Sequence, residues 1–389
     1  MSYAEHRTII DVDSHVIELD DFLSNVAHPN DAPLIPDITE QTELPYVKAW
    51  ADRGRSLLEK RQNHPETMAK FEASLTDARK GGFTRLGAFD PQERSHALDL
   101  LGFKLQWVLP TFSFHQIAHV DNLDQLEAGA RTLNRAMGTF CMHDDRLHAI
   151  GYVPLTLGPE IALDLMRQGF KDGCYTYMVD TNEPDPKKRS FTHVDFDPVW
   201  AEFANHRAPF VTHVAVNGHY DRIPRSFRRN GRGTLELGGD APVGEIGMVT
   251  IKNSVEIFLS AMIFDEVFER HPDLRGISME HAAFWIPSWL QALDFAAANY
   301  KHQRTFARSP SETVKQHLRF SPFAGEPVGW IIDNVGPELL VFASDYTHPE
   351  GTSDPIGKFE ASMLDCDQDT MNAFYHGNME ALMGVSVSR

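Results

Sequence analysis

Cysteine is scarce in this chain of 389 residues: Cys141, Cys174 and Cys366 are its full complement. They lie far apart and show no CxxC spacing, which excludes a disulfide framework and fits a reducing compartment. Each reads as a small buried apolar residue. Positive charge is short as well, with 36 Lys and Arg against 55 Asp and Glu, a net charge of −19. Nucleic acid and anionic membranes attract positive patches, so neither is an expected partner. The opening residues, MSYAEHRTII, lack the basic flank and apolar core of a signal peptide. No apolar stretch reads as approaching the roughly 20 residues of a membrane helix. The expected location is the cytoplasm, and the sequence shows no internal repeat or low-complexity tract.

What is present is an ordinary folded composition, 42% hydrophobic and 23% charged. The length suits one large α/β domain over residues 1–389 with insertions. β-like runs fall at 8–15, 104–110, 147–154, 174–180, 210–216, 274–280, 317–323 and 339–345. Between them lie amphipathic segments such as 124–144, 159–170 and 260–274. Eightfold alternation of strand and helix predicts a (β/α)8 TIM barrel. Two insertions, at about 20–95 and 218–250, follow proposed strands and are expected over the C-terminal mouth. The second holds DRIPRSFRRNGRGTLELGG (221–239), whose five arginines read as a solvated loop able to grip an acidic substrate or a neighbouring subunit.

The first run, TIIDVDSHVIE (8–18), ends in Asp11, Asp13 and His15 on alternate positions. Residues two apart on a strand share a face, so Asp13 and His15 project together, with Asp11 pointing the same way one pleat deeper, as a structural residue or as a support to a ligand. Carboxylate and imidazole suit zinc or manganese, although a hydrogen-bonded Asp–His pair closing a barrel end is equally consistent. Other strand ends add His213, the Glu280–His281 pair and Asp345. Bringing so many ionisable groups to one barrel mouth is costly without a cation. Glu18 is placed to order a loop or to bond a ligand histidine, and His348 to support the site or a turn. Phe112, Phe114 and His115 after the second strand, with Trp285 and Trp289 after the sixth, suggest an aromatic mouth suited to a flat substrate. Packing against a barrel helix explains the tryptophans as well.

Five stretches, in order, resemble the amidohydrolase superfamily, specifically the metal-dependent branch that contains aminocarboxymuconate-semialdehyde and γ-resorcylate decarboxylases. They are IDVDSHVIE, NRAMGTFCMHDDRLHAIGYVPL, VDFDPVWAEFANHRAPFVTHVAV, FERHPDLRGISMEHAAFWIPSWLQALD and LVFASDYTHPEG. The resemblance implies Asp13, His15, His213 and Asp345 as ligands of one divalent ion, Zn2+ or Mn2+. It also implies His281, Asp345 and Glu280 as candidate catalytic residues. Asp13 stands where many members carry histidine, which hardens the site towards manganese. Ala282 and Ala283 stand where the decarboxylases carry glycines. The implied activity is non-oxidative decarboxylation of an aromatic or unsaturated carboxylate by a homodimer. The alternatives are metal-dependent hydrolysis of an amide, lactone or C–C bond, and an inactive barrel that serves as a binding protein.

Overall fold

A computed structural model describes residues 2–35, 37–38, 47–181, 188–214, 227, 231–233, 244–349 and 351–386. Seven parallel strands lie in sequential order: β1 (Ile10–His15), β2 (Leu105–Leu109), β3 (Leu147–Val153), β4 (Cys174–Val179), β5 (Phe210–Thr212), β6 (Gly276–Ser278) and β7 (Leu318–Phe320). An eighth, irregular stretch closes the ring. Leu340 bridges Phe320 on one side and Tyr346 bridges Ser14 on the other, both in parallel sense. Backbone bonds from Val341 N to Phe320 O (3.0 Å) and from Val12 N to Phe342 O (3.2 Å) seal it. The architecture is the predicted (β/α)8 barrel.

The strands are buried along nearly their whole length, because helices cover their outer side. The principal helices are α1 (Val47–Asn63) in the first insertion, which lies at the barrel mouth, and α2 (Pro91–Leu101), α3 (Leu123–Cys141), α4 (Pro159–Lys171), α5 (Asp197–Asn205), α6 (Asn253–Phe264), α7 (Ile286–Tyr300) and α8 (Val328–Val335) around the barrel. Local signals start several of them. Asp90 accepts from Glu93 N ahead of Pro91, and the Asn122 side chain accepts from two amides at the start of α3. Phe210 and Phe268 stack within the main core, which runs through the barrel and around it.

A second, smaller core joins the first insertion to the barrel mouth. Ile38, Val47, Phe83, Ala88 and Phe89 pack there with Ile17 and Leu19, which follow β1, and Phe112, which follows β2. Each large side chain so buried contributes about 2 kcal/mol, enough to seat the insertion firmly.

Two expectations are corrected. The helix anticipated over 260–274 instead starts at Asn253 and stops at Phe264, because Glu266 takes a left-handed conformation (φ 57°) before a short turn at Val267–Arg270. Residues Gly244–Phe264 do reach the length and apolar composition of a membrane span, with a mean hydropathy of 1.4 over an 18-residue window. Their apolarity has a local use, since Val255, Phe258, Leu259, Met262 and Ile263 of α6 are buried in the fold. Most of the arginine-rich loop at 221–239 lies outside the described residues.

Candidate metal centre at the barrel mouth

The β1 residues reach the mouth through an irregularity. Pairing of β1 with β2 slips between Asp11 and Ser14, a local bulge of the kind that re-aims side chains beside active sites. Asp13 and His15 then converge, with His15 Nε2 3.2 Å from Asp13 Oδ1 and both side chains buried. His213, one residue past β5, places Nε2 3.8 Å from the same Oδ1. The donor atoms of Asp13, His15 and His213 all lie within 4.8 Å of one another. Asp345 approaches from the closing stretch, its Oδ1 3.9 Å from His15 Nε2. It forms a second such group with His15 and His348, whose Nδ1 is 3.2 Å away and whose ring stacks on His15 at 3.8 Å. Glu280 adds a carboxylate oxygen 3.4 Å from His213 Nε2.

These separations have a physical meaning. Two ligand atoms each about 2.1 Å from one tetrahedral ion stand roughly 3.4 Å apart. The 3.2–3.9 Å spacings bracket that value. Asp13 Oδ1, His15 Nε2 and Asp345 Oδ1 are also buried without a hydrogen-bond partner. Buried polar atoms are rarely left so, and nitrogen and carboxylate oxygen are the donor types of zinc and manganese. The Asp13, His15 and His213 donors therefore fit a single divalent cation, and His15 links that group to Asp345.

Charge follows the same pattern. Burial acts to raise the Asp13 pKa, but contacts with His15 and His213 outweigh it and hold the carboxyl below its usual range. Burial, with the neighbouring His348, pushes the His15 pKa down. Asp11 is tied into the barrel instead. It accepts from Gln106 Nε2 (2.8 Å), Ser344 N (2.9 Å) and Ser344 Oγ (2.6 Å), and burial pushes its pKa up to about 7. It lashes the closing stretch to β1 and β2.

His281 sits beside this cluster, fully enclosed, with Nδ1 3.0 Å from Ser278 Oγ and Nε2 without a hydrogen-bond partner. Burial, reinforced by His213, pushes its pKa down to about 3, so the imidazole is neutral at pH 7. Its loop is wound tightly, since Glu280 (φ 55°) and Ala282 (φ 58°) both adopt left-handed conformations, as does Asp345 (φ 53°). Non-glycine residues there are uncommon and concentrate at functional sites.

Glu18 plays the loop-ordering part expected of it, and further supports around the site carry no sequence signature of their own. Glu18 accepts from the amides of Thr111 (2.8 Å) and Phe112 (2.9 Å) and from the Ser113 hydroxyl. It orders the loop after β2 rather than bonding a ligand histidine. Thr111 Oγ1 in turn meets His348 Nε2 (2.9 Å) and His15 Nδ1 (3.3 Å). Glu326 does the same for the loop after β6, accepting from the amides of Ala283 (2.9 Å), Phe284 (2.7 Å) and Phe323 (2.6 Å).

The expected aromatic mouth is corrected. Trp285 and Trp289 are 3% and 2% exposed and pack on each other and on Phe320. Phe112 packs edge-on against Phe83, and Phe114 against Tyr152. Their apolar surface is consumed within the fold. Trp285 serves the site differently, donating from Nε1 to the carbonyls of His281 (3.1 Å) and Ala282 (2.9 Å).

A family model described as amidohydrolase matches residues 10–385. No curated protein matches the chain by sequence. Among solved structures, an amidohydrolase from Mycobacterium avium subsp. paratuberculosis superposes with a TM-score of 0.72 at 18% identity, covering 98% of this chain and 99% of that one. A 5-carboxyvanillate decarboxylase from Novosphingobium aromaticivorans, with bound manganese and 3-methoxy-4-hydroxy-5-nitrobenzoic acid, gives 0.63 at 15% identity over 99% of both chains. A dihydroxybenzoic acid decarboxylase from Polaromonas sp., with bound manganese and 2-nitroresorcinol, gives 0.62 at 14% identity over 97% of both.

Proposed function

Because the chain belongs to the amidohydrolase family, we propose that it is a divalent-metal-dependent, non-oxidative decarboxylase of an aromatic or unsaturated carboxylate. The observation that carries the reading is the convergence of the buried Asp13, His15 and His213 donors at spacings suited to one cation, with Asp345 3.9 Å from His15. Those four residues would hold it. Two carboxylates in the set favour manganese, the ion bound in two of the structural neighbours. When bound, the ion supplies Lewis-acid stabilisation of the charge that develops on substrate oxygens.

The residues divide the remaining work. Asp345, once protonated, delivers its proton to the carbon that bears the carboxylate. The bond from that carbon to the carboxylate then breaks, its electron pair returns to the unsaturated system, and carbon dioxide leaves. Asp345 regains its proton from solvent, so the sum is one proton taken up and one carbon dioxide released, with no redox change. His281, neutral and held through Nδ1 by Ser278, offers Nε2 to orient the substrate or to relay that proton. The Trp285 and Glu326 contacts keep its loop in place.

Glu280 supports a second reading. Its carboxylate lies 3.4 Å from His213, where a general base could take a proton from an attacking water, as in metal-dependent hydrolysis. The family expectation of a cytoplasmic homodimer acting on a small carboxylate belongs to the same proposal.

Metal analysis of the purified protein beside Asp345→Asn, with both offered hydroxybenzoates while carbon dioxide is followed, tests the reading. Stoichiometric metal and carbon dioxide release that the variant loses is the expected result. Metal without release on any carboxylate turns the assignment to hydrolysis, with Glu280→Gln as the decisive variant. Absence of metal after reconstitution with zinc or manganese overturns both.

A further inference from the structure

The first insertion does more than cover the mouth. Its segment RLGAFDPQER (85–94) contains Arg85 and Arg94, both buried, at 4% and 0% residue exposure. Arg94 donates Nε to Gly87 O (2.7 Å), Nη1 to Gln106 Oε1 (3.0 Å) and Nη2 to the carbonyl of His15. Arg85 donates Nη2 to His348 O (2.6 Å) and Nε to Thr347 O (3.4 Å). Both guanidinium groups lie over the ring of Tyr346, at 4.7 and 5.3 Å, and the Tyr346 hydroxyl donates to Leu86 O (2.5 Å). A further backbone bond runs from Ile17 N to Ala88 O (2.8 Å).

These contacts share a target. One set grips the end of β1, just past Asp13 and His15; the other grips the loop that carries Asp345 and His348. The two segments also meet directly, through backbone links such as Asp345 N to Asp13 O at 2.9 Å and through the stacked His15 and His348 rings. The hydrogen bonds of Arg94 go to neutral acceptors alone, although burying a guanidinium without a paired carboxylate is costly. The turn that presents it is rigid. Gly87 has φ +76°, and a Cβ there would stand 2.5 Å from Arg94 Cα. Asp90 caps α2, and Glu93 pairs with Arg61 of α1 at 2.7 and 2.8 Å.

We propose that the 85–94 turn is a brace that fixes the spacing between the β1 donors and Asp345, with Arg85, Arg94 and Tyr346 as positioning residues for the cation. The proposal rests on the metal reading above. Its sign is diagnostic. Removing a positive charge near a cation site tightens binding if charge alone matters, and weakens binding if the brace matters. Supporting residues of this kind affect metal affinity by roughly 10–100-fold.

The test measures Mn2+ and Zn2+ affinity by chelator competition, and the metal-induced rise in melting temperature, for the wild type, Arg85→Met, Arg85→Lys and Tyr346→Phe. Arg85→Met is expected to bind about tenfold more weakly. Arg85→Lys, which keeps the charge and loses the fork, should also bind more weakly, and both should show a smaller metal-induced rise. Unchanged or tighter affinity in Arg85→Met, with apo and loaded melting temperatures lowered equally, overturns the brace while leaving the metal reading intact. Wild type that binds neither ion overturns the metal reading and the brace with it. Should Arg85→Met fail to fold, Tyr346→Phe decides: it removes one hydroxyl bond and keeps the ring, so it should lose affinity severalfold, and unchanged affinity refutes the brace.

Discussion

Trp285 and Trp289 offer a paired experiment on how the His281 loop is held. Both are buried at 3% or less exposure and pack on Phe320, at 5.8 and 6.1 Å between ring centroids. Their indole N–H groups differ in destination: Trp285 donates to the carbonyls of His281 and Ala282, Trp289 to Ser260 Oγ on α6. Substituting phenylalanine removes part of a buried ring in each case, which costs about 1–2 kcal/mol in transfer and cavity terms. Loss of the N–H bond adds about 1 kcal/mol. Trp285→Phe and Trp289→Phe should therefore both lose about 2–3 kcal/mol in urea unfolding. Only Trp285→Phe frees two carbonyls flanking left-handed residues, so only it should expose His281. Diethylpyrocarbonate labelling of His281, read by mass spectrometry at neutral pH, reports that exposure, and turnover on the eventual substrate should fall in parallel. Equal labelling of the two variants would falsify the assignment of Trp285 as the support of this loop.

Two further outcomes follow from backbone and burial. Burial pushes the pKa of His148, whose ring stacks on Tyr175 at 4.1 Å, down to about 4 from 6.5. The unfolded chain takes up that proton first, so stability is full above about pH 6.5 and is lost as pH falls towards 4, by about 3 kcal/mol at most. His148→Phe should flatten this part of the acid limb of a urea-midpoint profile; an unaltered slope would show that His148 is not its source. Ala282, at φ 58°, already bears a left-handed penalty of about 1 kcal/mol that glycine escapes and the unfolded state largely offsets. Ala282→Gly should shift stability by less than about 1 kcal/mol while Ala282→Val costs about 2 kcal/mol or more, and the reverse order would contradict the backbone assignment.

The barrel was legible because its signals are periodic. Short apolar runs at 147–154 and 174–180 survive within a residue or two, and alternation alone places Asp13 and His15 on one face. The bulge between Asp11 and Ser14 left no trace in that alternation, yet it lies between the two carboxylates that part company. Asp11 turns to Ser344 and Gln106, whereas Asp13 turns to the histidines. The supports were not legible for a different reason. Arg85, Arg94 and Trp285 act on carbonyl oxygens, which every residue possesses, so no residue type at the far end reveals the contact. The tryptophans misled because composition cannot tell an aromatic that lines a cavity from one that fills it.

The closure between the eighth stretch and β1 has a consequence for biosynthesis. Asp11 and Ser344 are 333 residues apart in sequence, and Asp13 and Asp345 meet across the same seam. Such distant pairings form late, after the local strand–helix units have collapsed. A nascent chain on the ribosome presents Asp13, His15 and His213 long before Asp345 exists, so on the proposed metal reading it would meet an ion with an incomplete set of ligands. On that reading a complete ligand set would arise only as the seam closes, after synthesis has passed residue 345.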